Sequence, residues 1–297
     1  MKRLLLLLLA GCAWPAQAAL TVLACEPEWA ALTEELAGDL ARVSSATTAR
    51  QDPHRIQARP SLIARARNAD LLVCTGAELE IGWLPLLLRE SGNARIQPGR
   101  PGYFEATGHV ELVEQLESVD RSMGDVHTAG NPHIVTDPRN LIPVAAALAK
   151  RLAEIDPANT AAYAKRHQDF DQRLRVAIAR WEQEAEDLRG VPVLVHHTNW
   201  SYLARWLGLE VVADLEPKPG VDPSVAQLGR LLETLQSKPA RMTLRSAYHP
   251  PRASEWLAAR TGIPAVELPY TVGGSEQATD LFSLYEDTIT RLKAALP

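Results

Sequence analysis

A chain of 297 residues, 46% hydrophobic and 23% charged, carries enough apolar material for one large domain or two lobes. Its formal net charge of −5 leaves no basic excess to neutralise a phosphate backbone, and its sparse aromatic residues (5%) do not interleave with basic ones. Both features argue against nucleic acid as a partner.

The first 18 residues read as an address. Lys2 and Arg3 precede a leucine run at 4–9, and Ala16-Gln17-Ala18 forms an A-x-A cleavage site. The run is too short to span a bilayer as a stable helix, so no transmembrane segment is expected. Leu9-Ala10-Gly11-Cys12 also resembles a bacterial lipobox, in which Cys12 would carry a lipid. Cleavage after Ala18 is favoured, because the periodic sequence begins immediately after it. Either route exports the chain, and a periplasmic location follows.

Residues 20–25 form an apolar strand. A helix follows Glu26-Pro27-Glu28, with Trp29, Leu32 and Leu36 at helical spacing and Gly38 as its stop. A β-rich stretch at 42–48 then places His54 just past a strand end, before a helix that begins near Pro60. Residues 69–75 read as a buried parallel strand and 78–89 as the helix after it. This alternation predicts an α/β lobe with a parallel sheet, whose ligands lie beyond the carboxyl ends of the strands. Cys25 and Cys74 each sit near the end of a strand. They pair if those strands are neighbours, or stay buried as small hydrophobes; both readings stand.

Residues 99–106 are turn-rich and suited to the border of a site. The loop at 124–138, GDVHTAGNPHIVTDP, holds His133 among Gly130, Pro132 and the Asp137-Pro138 pair, with Asp125 and His127 upstream. Each glycine or proline frees or fixes a backbone angle, so the His133 imidazole is held in place, as a metal site or an acid/base site requires. A helix from about 139 to 153 follows.

From Asp156 no glycine interrupts the chain until Gly190, while Tyr163, Phe170, Leu174, Ile178, Trp181, Ala185 and Leu188 step by three or four. The spacing predicts a helix of roughly 45–50 Å, long enough to run beside two lobes. Beyond it the α/β pattern restarts. Strands are predicted at 191–195, 209–213, 242–248 and 263–268, and helices near 199–207, 225–236, 254–260 and 277–295. The chain therefore divides into a signal (1–18), a first lobe (19–155), a linker helix (156–189) and a second lobe (190–297).

Three histidines share one context: His54 follows a strand, His133 sits in the constrained loop, and His197 ends the first strand of the second lobe. Such positions converge on the crevice between two lobes, and three imidazoles suit zinc, with a carboxylate or water in the fourth position. His196 cannot share the cleft with His197, because neighbouring strand residues point to opposite faces. It reads as a packing residue or a support to the ligands. His109, His167 and His249 read as solvated.

DPHRIQARPS around His54, ADLLVCTGAELE, GNPHIVTDP around His133 and HTNWSYLARWLGL from His197 together resemble the periplasmic solute-binding proteins of zinc and manganese ABC importers. The resemblance implies two α/β lobes joined by one rigid helix, with His54, His133 and His197 as metal ligands. Histidine at the third position resembles the zinc members, since the harder Mn²⁺ gains more from a carboxylate. The His/Asp/Glu-rich loop that zinc members often carry is absent. The family's usual aspartate motif is replaced by Glu267-Leu268-Pro269-Tyr270-Thr271-Val272-Gly273-Gly274. Asp280 is the fourth ligand expected here, aimed at the cleft by this TVGG loop, with Glu267 or a water as alternatives.

The resulting expectation is a monomeric protein, not an enzyme, that captures Zn²⁺ and delivers it to the membrane permease of an ABC importer. Affinity should fall below about pH 6 as the imidazoles protonate. The 124–138 loop should act as a gate, with Asp125 and His127 holding metal in passage. A periplasmic zinc chaperone or a metal-dependent adhesin is the alternative, separable by neighbouring permease and ATPase genes. A zinc hydrolase is the remoter one, since no HExxH pattern is present.

Overall fold

The structure is a computed structural model that describes residues 19–116, 118, 120 and 123–296. The segment expected to be an export signal, with Cys12, lies outside the described residues. Two four-stranded sheets, each wholly parallel, form the frame.

In the first sheet β1 (Leu20–Ala24), β2 (Ala41–Ser45), β3 (Leu71–Cys74) and β4 (Tyr103–Glu105) lie in the order β2-β1-β3-β4. Alternate strand residues enter different cores, as the two-residue period of a strand requires. Val22, Ala24, Leu71 and Val73 pack with residues of α1 (Pro27–Ala37) and α4 (Leu141–Ile155). Leu23, Cys25, Leu72 and Cys74 pack with residues of α2 (Pro60–Asn68) and α3 (Leu84–Ser91). β1 and β3 are neighbours, and Cys25 and Cys74 at their ends form a disulfide across a Cα separation of 4.7 Å. Of the two readings left open for these cysteines, pairing is the one the fold adopts.

The second sheet repeats the plan with β5 (Pro192–Val195), β6 (Glu210–Asp214), β7 (Met242–Ser246) and β8 (Ala265–Leu268) in the order β6-β5-β7-β8. Leu194 packs against Leu228 of α7 (Val225–Ser237) and Leu257 of α8 (Arg252–Thr261). Val193, Val195, Met242 and Leu244 face the other way, with residues of α6 (Ser201–Leu207) and α9 (Leu281–Ala294). The inner faces of both sheets belong to one continuous core. Opening the lobes widely would therefore expose apolar surface at about 25 cal/mol per Å².

α5 (Thr160–Glu184) packs on α1 and α4 from the first lobe and on α9 from the second. Its Arg166 and Arg173 reach Asp39 and Glu35 in the first lobe, and its Arg180 reaches Glu286 on α9. The helix is shorter than its spacing predicts: 25 residues, about 37 Å at 1.5 Å per residue. Pro157–Asn159 and Glu186–Leu188 form separate 3-10 turns at its two ends.

Three other boundaries differ. Residues 77–83 are turns instead of the first part of a helix. The buried Glu80 carboxylate accepts the N–H groups of Thr75 and Gly76, Ala77 and Glu78 adopt positive φ, and α3 begins only at Leu84, with Pro85 in its first turn. Residues 103–105, inside the turn-rich stretch, supply the three-residue edge strand β4, too short to carry a visible alternation. α9 begins at Leu281 because Asp280 caps it. No helix among the described residues is long and apolar enough to cross a membrane.

Candidate metal centre

The same tripeptide pattern, Asx-Pro-His, builds two corners of the site. In Asp52-Pro53-His54, Asp52 Oδ1 accepts the backbone N–H of His54 at 3.0 Å and lies 2.7 Å from its ring Nδ1. In Asn131-Pro132-His133, Asn131 Oδ1 accepts the backbone N–H of His133 at 2.9 Å and lies 2.7 Å from its Nδ1. One oxygen thus fixes both the backbone turn and the ring. The His54 segment is pinned further by Trp83, whose Nε1 donates to the Pro53 carbonyl. Gly82 allows that approach, since a Cβ there would meet the His54 carbonyl at 2.7 Å.

His197 follows β5 and takes its support from the loop after β6, where Glu216 Oε2 lies 2.7 Å from its Nδ1. That oxygen also accepts the Gly220 N–H at 2.8 Å.

These partners decide the tautomers. A carboxylate only accepts, so Nδ1 of His54 and of His197 carries the proton. The Asn131 amide is oriented by its own Nδ2, which donates to Glu114 Oε2 (2.8 Å) and to the Thr198 carbonyl (2.9 Å). Its oxygen therefore faces His133, and Nδ1 of His133 donates as well. All three Nε2 atoms are left with lone pairs, and all three are buried without a hydrogen-bond partner. One ring nitrogen of each histidine lies within 4.8 Å of those of the other two. Ligands of a tetrahedral zinc stand roughly 3.3 Å apart at bond lengths of about 2.0–2.1 Å, so a small inward movement completes the grip. The ring centroids of His133 lie 5.3 Å from His54 and 5.2 Å from His197.

Buried polar atoms without partners cost free energy, and three of them brought together make a candidate cation site. The environment keeps the His133 lone pair free. Burial, followed by the neighbouring His197, His54 and His127, holds His133 well below the usual histidine range. Burial would raise the Asp52 carboxyl, but the hydrogen bond and charge of His54 outweigh it and hold it down at about 2. The carboxylates of Asp52 and Glu216, each behind a ligating ring, would offset the two charges of a divalent ion.

The fourth expected ligand is corrected. Among the described residues no carboxylate joins the three histidines at ligand distance. Asp280 is exposed and caps α9, accepting from the N–H groups of Phe282 and Ser283 in a capping box. Glu267 pairs with Arg245 at 2.6 Å. The TVGG loop reaches the site with other residues: the Tyr270 ring packs edge-on to His133 at 5.9 Å, and the Thr271 hydroxyl donates to Glu28 of α1.

His127 stacks on His54 at a centroid distance of 5.4 Å, with its Nε2 buried and without a partner. Burial, then His54 and His197, push it down to about 4. It lines a cavity of about 140 Å³ with Asp125, Asn131 and Pro219. Asp125 is engaged by Arg55 at 2.6 Å. His249 is not solvated as its sequence context predicts. It is half-buried and stacks on His196 at 4.2 Å.

Asp52, Asn131 and Glu216 are the supporting residues that the sequence reading missed. The first two had a visible signal, the repeated Asx-Pro-His. Glu216 had none, because it lies 19 residues from its partner.

A family model described as the periplasmic component A of zinc-uptake complexes matches residues 22–295. The chain belongs to this family. The family consists of transport components, so the hydrolase alternative is set aside. Zinc-binding lipoprotein AdcA of Streptococcus pneumoniae is 26% identical over 212 residues, covering 68% of this chain and 40% of AdcA. The chain thus spans less than half the length of that relative. The manganese ABC transporter substrate-binding lipoprotein PsaA of the same species is 25% identical over 214 residues, covering 69% of this chain and 64% of PsaA. The high-affinity zinc uptake system protein ZnuA of Bacillus subtilis is 21% identical over 252 residues, covering 84% of this chain and 77% of that one. A crystal structure of ZnuA superposes with a TM-score of 0.77 at 24% identity, covering 94% of this chain and all of that one. That likeness concerns the fold.

Proposed function

We propose that this protein captures Zn²⁺ outside the cytoplasm, between its two lobes, and delivers it to the permease of an ABC importer. The observation that carries this reading is the convergence of three Nε2 lone pairs, each aimed by a partner on the opposite ring nitrogen. His54, His133 and His197 are the ligands in this reading, and a water takes the fourth position in place of Asp280. An all-imidazole protein donor set favours zinc over the harder Mn²⁺. Family membership supports the delivery step, and relatives named as lipoproteins make an anchored form compatible with the same role.

The lobes are taken as 19–155 and 190–297, with 156–189 between them, in a monomer. Their shared core favours release by local movement over wide separation. The 124–138 loop is the moving part. Gly124 and Gly130 sit at φ of +88° and +121°, and Arg55 bridges Asp125 to the Gly220 carbonyl across the cleft mouth. With Asp125 held by Arg55, His127 is the residue that hands the ion through the mouth.

A competition titration tests the assignment. The purified protein, stripped of metal, is titrated with zinc in the presence of excess manganese. Retention of one tightly held zinc is the expected result. A site that stays filled with manganese as zinc is added would remove the zinc assignment.

A further inference from the structure

Behind the inter-lobe site stands a second group of metal-type donors. His196, Glu216 and His249 offer one ligand atom each within 4.8 Å of one another. His196 and His197 are consecutive on opposite sides of the chain, and Glu216 lies between their rings. Its Oε2 serves His197 at 2.7 Å, while its Oε1 stands 3.9 Å from His196 Nε2 with no hydrogen bond to it. Both ring nitrogens of His196 and Nδ1 of His249 are buried without partners. A histidine serving only as packing would ordinarily satisfy at least one buried nitrogen. Here three nitrogens on two adjacent rings are left over.

The cluster is also reachable. His196 lines a cavity of about 360 Å³ together with Asp222, Pro223, Pro250 and Trp256. The cavity is distinct from the one at the mouth of the inter-lobe site, lined by His127 and Asn131. Its wall carries both Asp222 and Arg252, so the cavity gives access to the cluster without a net charge of its own. His249 sits in the loop after β7, ahead of Pro250 and Pro251, its backbone N–H bonded to the Ser246 carbonyl. Its ring packs between those of His196 and Tyr248, at centroid distances of 4.2 and 4.4 Å.

We propose that His196, Glu216 and His249 form a second binding site for a divalent transition-metal ion of zinc type, linked to the inter-lobe site through Glu216. Two imidazole nitrogens and one carboxylate oxygen make a three-donor set that zinc completes with water. Closing the donors to roughly 3.3 Å apart requires the stacked rings to splay. The second ion therefore binds more weakly than the first. Filling it draws charge from the carboxylate that orients His197 and places a second cation near the first. The two sites are thus antagonistic, and a filled second site loosens the delivered ion. The inference stands beside the proposed function, and the two fail separately.

Native mass spectrometry and calorimetry with Zn²⁺ alone, on the full mature chain, test it. The wild type is expected to hold two zinc ions at saturation, the second with at least tenfold weaker affinity. His249→Ala is expected to hold one, at the tight site. His133→Ala is expected to lose the tight ion and keep the other, and His109→Ala, which alters an exposed histidine, should keep both. A single ion in the wild type, or two in His249→Ala, would overturn the proposal and leave the inter-lobe reading standing. No tight ion in the wild type would instead remove the inter-lobe reading. Should His249→Ala fail to fold, anomalous scattering at the zinc edge from wild-type crystals decides. A second peak between His196 and His249 supports the site, and its absence at saturating zinc rejects it.

Discussion

Asn131 Oδ1 lies 2.7 Å from His133 Nδ1 and also accepts the His133 backbone N–H. This single amide oxygen sets the tautomer, the ring angle and the turn of the most buried of the three histidines proposed as ligands. Asn131→Ala should weaken zinc binding by about 10- to 100-fold, the usual cost of removing a group that supports a metal-ligating histidine. Calorimetry in a zinc-chelator competition checks it, and an unchanged affinity would show that the ring is aimed by packing alone.

His133 should be neutral throughout the range in which a free histidine titrates. Burial and the surrounding imidazoles hold its pKa well below the usual value, so its lone pair is ready at pH 6. The acid loss of zinc expected from ordinary histidines is therefore not set by this ligand. Long-range ¹⁵N–¹H spectra of the metal-free protein should show the His133 ring Nδ1-protonated and neutral where a free histidine titrates. A ring that titrates near 6.5 would contradict the environment described.

Beneath Tyr270 lies a buried carboxyl cluster. Burial, then neighbouring carboxylates, raise Glu26 well above the usual range. Burial, opposed by the Thr271 hydroxyl, leaves Glu28 at about 7, and burial, opposed by backbone N–H groups, leaves Glu80 at about 7. The folded state binds protons that the unfolded chain releases. Their stabilisation is complete below the unfolded value of about 4.5 and is lost as pH rises through 7. The depressed His133 and His127 act oppositely, losing stability as pH falls below about 6.5, so the total dependence is blunted. Glu28→Gln isolates the acid part. Thermal melts of the metal-free variant should lose less stability than wild type between pH 5 and 8, by several degrees, and parallel curves would refute the cluster's role.

Asp280 caps a helix, and its substitution separates that role from metal binding. Asp280→Ala should cost about 1 kcal/mol of stability and leave zinc stoichiometry and affinity unchanged. Loss of zinc in this variant, with the fold intact, would restore it as a ligand.

Arg55 ties the gate loop to both lobes through Asp125 and Gly220. The pair is largely exposed, so it contributes little to stability. Arg55→Ala should leave the melting temperature nearly unchanged and speed zinc dissociation about two- to fivefold, a cost within the usual range for an exposed ion pair. Stopped-flow release into a chelator measures it.

The fold was legible in the sequence because its signals are local. Strand runs such as 69–75, and the step from Trp29 to Leu32 and Leu36, follow from short-range periodicity, and the order of the elements dictates two parallel sheets. The three histidines were legible because each sits where a parallel strand or a constrained turn delivers side chains to the cleft. What escaped reading depends on contacts distant in sequence. Glu216 meets His197 across a strand pair, and Asp280 is turned to a cap by the exact start of α9. His249 is buried by stacking on His196, 53 positions earlier in the chain. The 78–89 stretch reads as helix by composition, yet a buried carboxylate, Glu80, diverts its first turn.

His54, His133 and His197 are proposed to hold one zinc ion between the lobes. Native mass spectrometry of the metal-loaded protein, wild type against His133→Ala, tests it most directly. One zinc that survives manganese competition is expected in the wild type and is expected to be lost in the variant, with both proteins folded. A His133→Ala protein that keeps the same competition-resistant zinc would contradict it.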